Sequence, residues 1–265
     1  VSDVGGYRWV RRSAAERLAR FAAWLVVVAL LVWSVRGVDI FWPWVVDAPA
    51  QIADLLGRMS PPDPSNLDLI LAAMLQTIHI ATLATLLALV LALPVAYLAA
   101  QNTSPNGATL ALGRLIVVST RSVNTIIWAL LFVAIFGPGP LAGILAVAFR
   151  SIGFLGKLIA EAIEEIDRRP VEAMEATGAN EAKVIAYGVV PQVLPTFFAV
   201  SILRWDINIR ESTVLGLVGA GGIGLLLQGA IDTFKWQEVS LILLAILSVV
   251  VAGEFVSGWL REKVI

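Results

Sequence analysis

No aspartate, glutamate, lysine or arginine occurs between Asp68 and Arg114, an uninterrupted window of 45 residues. About 20 apolar residues suffice for a helix to cross a bilayer, so this window is long enough for more than one crossing. A soluble domain of 265 residues, 58% hydrophobic and 15% charged, has too little polar surface to cover such a stretch. The mean hydropathy of +0.85 points the same way. The chain is therefore expected to be an all-α polytopic membrane protein. Its net charge of −1 leaves no basic face for nucleic acid. With no cysteine and a single histidine, His79, neither a thiolate nucleophile nor a Cys/His-built metal site is expected. The predicted catalytic and metal-ligating residues are none.

Six spans are expected. The first, Phe21 to Val35, follows a basic start with Arg8, Arg11, Arg12, Arg17 and Arg20. It is read as a retained span rather than a cleaved leader, because Ala48-Pro49-Ala50 lies too far beyond it. A loop over 36–68 follows, with five aspartates, Asp39 among them, and an amphipathic helix expected over Pro49 to Met59. The second span covers Leu69 to Ala100, with a kink expected at Pro94. Gln101 to Gly107 forms a turn, and Leu115 to Phe136 is the third span. After the Gly137-Pro138-Gly139-Pro140 turn, the fourth runs from Leu141 towards Ile163. Val193 to Val218 and Val239 to Leu260 complete the set. Two regions result: 1–68, and a core of 69–265. Most Lys and Arg fall on one side of this arrangement, so both termini are expected in the cytoplasm of a multi-pass protein of the plasma (inner) membrane.

One charged passage interrupts the hydrocarbon: Arg168 to Ala179, running on to Val190-Pro191. Pro170 suits the first position of a helix, and Glu172 and Glu175 suit its opening turns. Gly178 offers a break or a close-packing point. A small-residue helix hung between spans is shaped to dock on something outside the membrane.

A second cluster, Arg204-Trp205-Asp206-Ile207-Asn208-Ile209-Arg210-Glu211, falls about halfway along the fifth span. Each charge there costs about 2.5–3.5 kcal/mol on the insertion scale. At 100° per residue Arg204, Asn208 and Glu211 share one face, while Asp206 and Arg210 lie nearly opposite at i,i+4. Internal salt bridging between spans and a substrate pathway or gate are weighed evenly. The weaker stripe of Gln76, Thr77, His79, Thr82 and Thr85 is read as interhelical hydrogen bonding.

Gly219-Ala220-Gly221-Gly222-Ile223-Gly224 is a literal G-x-G-x-x-G. It lacks the strand–helix alternation and distant acid of a dinucleotide site, so Gly219, Gly221, Gly222 and Gly224 are expected to break the backbone or admit a close helix. Gly153 to Leu158 matches a phosphate loop only superficially, with leucine where the magnesium-binding hydroxyl belongs. Hydrolysis of ATP, if used, belongs to a partner.

Glu172-Ala173, Gly178 six residues after the glutamate, and Pro191 thirteen later resemble the EAA loop of ABC-importer permeases. Ser151 to Lys157, Tyr187 to Pro195, Arg204 to Arg210 and Val218 to Gly224 resemble the permease subunit of phosphonate importers in particular. Departures are Met174 for the second alanine, Gly188 and Val190 near the loop's end, and Asn124-Thr125 where a Pro-Glu pair precedes Trp128. The resemblance implies a type I importer permease fold, like that of methionine permeases. It implies a loop at about 168–191 whose Glu172, Ala173, Glu175, Ala176, Gly178 and Ala179 dock on an ATPase subunit. It further implies two copies of this chain, two ATPase subunits holding ATP and magnesium, and an extracytoplasmic substrate-binding protein. The substrate class implied is a phosphonate, phosphite or phosphate anion. Arg204, Asp206, Asn208, Arg210 and Glu211 become pathway or gate candidates. Methionine or glycine-betaine import, and more distantly secondary transport, are the alternatives.

Overall fold

The computed structural model describes residues 14–38 and 40–264. Arg8, Arg11, Arg12 and Asp39, which entered the charge argument, lie outside the described residues. Among those described the chain is helical, with no strand. It divides into two compact units, one ending at Leu56 and one beginning at Gly57.

The first unit holds α1 (Ala14–Gly37) and most of α2 (Trp42–Met59). α1 is long and apolar enough to cross a membrane, and none of its apolar window is buried within the unit. α2 starts seven residues before the expected Pro49. Pro43 stands in its first turn, where a missing N–H costs nothing, so it opens the helix instead of blocking it.

The second unit is built around α3 (Leu67–Ala99) and α6 (Pro140–Glu164), its most extensively paired helices. Ala81, Ala84, Ala88, Ala92, Ala96 and Ala99 recur every three or four residues along α3 and are all buried. Side chains this small let helix backbones approach, which is how apolar spans gain packing energy when lipid is as apolar as they are. α6 answers with Gly143, Gly153 and Gly156. A Cβ on Gly153 would sit 2.3 Å from Thr120 Oγ1 and 2.6 Å from the Val117 carbonyl of α4 (Gly107–Ser122). The superficial phosphate-loop glycine is thus a helix-packing residue. Pro94 lies within an unbroken α3.

The third expected span is not one helix. α4 ends at Ser122, α5 runs Thr125–Phe136, and the two are bent by 91°. Val123 and Asn124 are extended, and the Asn124 side chain accepts from the Ile126 N–H, which caps a new helix start. Hydropathy averages across such a cap, so it predicted continuity.

α7 (Arg168–Ala176) and the short α8 (Glu181–Val184) follow. A π-helical turn, Ile185–Val189, then leads into α9 (Val190–Leu215). Pro191 has no N–H to give to the preceding turn, so the ordinary ladder is already interrupted where the wider turn forms. A 3₁₀ turn, Gly216–Val218, precedes α10 (Ile223–Asp232), and α11 (Trp236–Val264) closes the chain. Among the described residues five helices are long and apolar enough to cross a membrane, or six if the bent α4–α5 pair counts as one crossing.

Candidate functional site

The buried polar groups of α9 are satisfied from several helices at once. Arg204 of α9 is 2% exposed; its Nε donates to Ser151 Oγ of α6 at 2.8 Å, and its guanidinium pairs with Glu211 at 3.2 Å. The Phe154 ring lies 5.1 Å below it. Asn208, fully buried, donates to Thr85 Oγ1 of α3 at 2.8 Å and accepts from Ser151 Oγ at 3.2 Å. Ser151 therefore joins both α9 residues to α6. Glu211 also accepts from Thr125 Oγ1 at 2.8 Å, and Thr125 accepts from Arg150 at 3.0 Å. The Arg150 guanidinium stands 4.0 Å from Glu211. On the opposite face Asp206 is buried and pairs with Arg210, whose side chain is 43% exposed.

Sequence periodicity placed Arg204, Asn208 and Glu211 together, and the structure brings these three into one network. It keeps Asp206 and Arg210 apart from them as a pair of their own, with Asp206 beside Gly253 of α11. Arg150 and Thr125 were missed. Arg150 falls inside the fourth expected span and stands near the middle of α6. The same charge-at-depth cost that drew attention to Arg204 would have found it.

The polar stripe of α3 reaches two elements. Thr85 and Thr82 receive Asn208 and Trp205 Nε1 of α9, the latter at 3.0 Å. Gln76 and Thr77 accept the backbone N–H groups of Gly222 and Ile223 at 2.9 and 2.8 Å. α10 has no cap from its own side chains, so α3 supplies one from 146 residues away. The glycines before it occupy two kinds of place. Gly219, Gly221 and Gly222 have φ of +82°, +81° and +76°, the left-handed region that a β-carbon disfavours. Gly224 is helical, and a Cβ there would lie 2.3 Å from the Thr213 carbonyl.

α7 differs in every respect: none of its residues is buried. Asp167 caps it by accepting from the Arg169 N–H at 3.0 Å. Hydrogen bonds from the Arg169 side chain, then from its backbone, hold the Asp167 carboxyl below the usual aspartate range. Because of this cap the helix begins at Arg168, so Pro170 is its third residue, not its first, and Glu172 falls in the second turn. Gly178 follows the end of the helix at φ +76°, and a Cβ there would meet nothing in this chain, so within the fold it serves as a backbone break. Gln192, at the start of α9, clamps the base of α7. Its Oε1 accepts the Asp167 N–H at 3.0 Å, and its Nε2 donates to the Asp167 carbonyl at 3.1 Å. A Cβ on Gly188 would stand 3.2 Å from Val171 Cα, so the glycine that departs from the usual EAA pattern is where α7 packs against the π turn.

The described helices thus combine a bent α4–α5 pair, a glycine-rich break before the short apolar α10 and an exposed polar α7. The family described as "binding-protein-dependent transport system inner membrane component" matches residues 92–264, and the chain belongs to it. It is 39% identical over 97% of its length to the "putative phosphite transport system permease protein HtxC" of Stutzerimonas stutzeri, covering 91% of that protein. It is 40% identical over 93% of its length to the "phosphite transport system permease protein PtxC" of the same organism, covering 89% of it. A chain of the MetNI methionine ABC transporter, in inward-facing conformations, superposes with a TM-score of 0.66 at 21% identity, covering 77% of this chain and 99% of that one. At that identity the likeness concerns fold, and the fold is that of a type I importer permease.

Proposed function

We propose that this chain forms the translocation pathway for small phosphorus oxyanions (phosphite, phosphate or phosphonates) in an ATP-driven importer. The observation that carries this reading is 39–40% identity, over nearly the whole chain, to permeases named for phosphite transport. Two copies would build one pathway, each α7 docking on one of two ATPase subunits, which hold ATP and magnesium and do the hydrolysis. A substrate-binding protein would deliver the anion on the outer face, with both termini in the cytoplasm. An exposed α7 with Glu172, Ala173, Glu175 and Ala176 on it, and Gly178 and Ala179 just beyond, suits docking. The Gln192 clamp ties its base to α9, so a rigid-body shift of α7 would be passed to the helix that carries Arg204 and Asn208. ATP closure then biases a two-state bundle.

The test is uptake by the assembled transporter in vesicles containing ATP, with its binding protein and labelled phosphite, phosphate, a phosphonate or methionine outside. ATP-dependent accumulation of a phosphorus oxyanion is expected. Accumulation of methionine alone would sink the substrate assignment.

A further inference from the structure

Charge balance around Arg150 is incomplete. Two guanidiniums, of Arg150 and Arg204, converge on the single carboxylate of Glu211, leaving one positive charge in excess. Asp206 does not offset it, because it is engaged by Arg210. Arg204 is sealed inside the bundle, but the Arg150 and Glu211 side chains stay 32% and 20% exposed. Arg150 is the eleventh of 25 residues of α6, about 15 Å from the start of the helix at 1.5 Å per residue. That depth is out of reach of either interface for a snorkelling side chain. A part-exposed charge there faces water or another protein surface, not lipid.

The exposed side of α6 continues from Arg150 through Phe154, Lys157, Glu161 and Glu164, steps of three or four residues that stay on one face. The last three line a cavity of about 420 Å³ between α6 and α4, whose other wall includes Arg114, Arg121 and Ser122. Ion pairs of Lys157 with Glu161 (3.3 Å) and Arg114 with Glu164 (3.2 Å) bring the charges of this lower cavity close to balance, Arg121 remaining in excess. Arg121 and Ser122 stand at the bend that also places Thr125 against Arg150. Cavity and cluster are thus consecutive along one face, joined at the α4–α5 break.

We infer that this face of α6, with the α4–α5 bend, is the wall of the anion's route, and that Arg150 is its charge-selecting residue, Glu211 being the carboxylate that occupies it between passages. An arriving oxyanion finds a guanidinium whose nearest carboxylate is 4.0 Å away, beyond tight contact, and competes for it. This rests on the oxyanion reading above and assigns that reading's specificity to a residue outside the α9 cluster.

The chain has no cysteine, so one introduced thiol reports cleanly. In the assembled transporter, Ser122→Cys is modified with a negatively and a positively charged methanethiosulfonate, each rate referred to a free thiol. The negative reagent is expected to react about tenfold faster, the size of effect that one unit charge exerts on two oppositely charged probes at intermediate dielectric. Adding Arg150→Gln should lower that ratio at least threefold, Arg150→Lys should restore it, and Glu211→Gln should raise it. Inorganic phosphite should slow the modification. A ratio indifferent to Arg150→Gln and Glu211→Gln overturns the inference, and so does a thiol reached only by a lipid-soluble maleimide. If Arg150→Gln does not assemble, the Glu211→Gln arm decides alone. Failure of the oxyanion reading appears separately, as absent phosphite and phosphate uptake by the cysteine-free protein.

Discussion

α7 and the middle of α9 are both polar helical passages of the second unit, and they handle their polarity in opposite ways. On α9, Arg204 and Asn208 are sealed and meet Ser151, Thr85 and Glu211 of the same chain. On α7 nothing is buried. Polar groups at depth must be answered by their own fold, since lipid offers nothing. Polar groups outside the membrane are answered by water, so they are free to be shaped for a partner. Substitutions should therefore separate the two: on α9 stability falls first, on α7 function falls with stability intact.

The largest effect is expected from Arg204→Met. It removes one partner of Ser151 and a cation from Glu211, and breaking one side of a buried pair costs about 3–5 kcal/mol. Thermal unfolding of the purified transporter in detergent measures it; a loss below about 1 kcal/mol would mean that the network is not structural. Gly224→Ala comes next. Its Cβ would meet the Thr213 carbonyl and the Gly216 backbone, at 2.3 and 2.9 Å, which flexible side chains cannot relieve. Overpacking of this kind costs about 1–3 kcal/mol, read by the same unfolding curve. Asn124→Ala removes the cap of α5 and should cost about 1 kcal/mol. Spin labels on α4 and α5 would then show a broader distribution of the bend angle. Smallest in stability is Glu172→Lys, within about 0.5 kcal/mol for an exposed position. It should nevertheless weaken retention of the ATPase subunits on size exclusion. A variant that keeps both its ATPases and its uptake removes α7 from the docking role.

Gln192 connects the two regions and sharpens the contrast. Gln192→Leu should leave the Arg204 network and the unfolding temperature close to those of the parent, since the clamp lies at the exposed base of α7. ATP hydrolysis without matching uptake is the expected outcome, measured as substrate transported per ATP consumed.

Periodicity and hydropathy were enough for the spans that are continuous helices, because a bilayer crossing demands a long apolar run and little else. They failed at Val123–Asn124, where one side-chain cap starts a new helix inside an apolar run. They also misplaced α2, because proline reads as a breaker although a first turn tolerates it. The 100° spacing grouped Arg204, Asn208 and Glu211 correctly, since a single helix fixes that relation. It was silent on Thr85, Thr125, Arg150 and Ser151, which reach α9 from three other helices.

The sequence by itself determined that this chain lives in a membrane, where its polar exceptions are, and which of them share a helical face. Each follows from local rules: the cost of charge in hydrocarbon, and the pitch of a helix. Only the tertiary structure decided which exceptions answer one another. Arg150 pairs towards Glu211 across 61 residues of chain, and Gln76 caps a helix 146 residues away. Such pairings depend on how helices are packed side by side, which the small residues of α3, α4 and α6 set through backbone approach and which the spacing of charges does not encode.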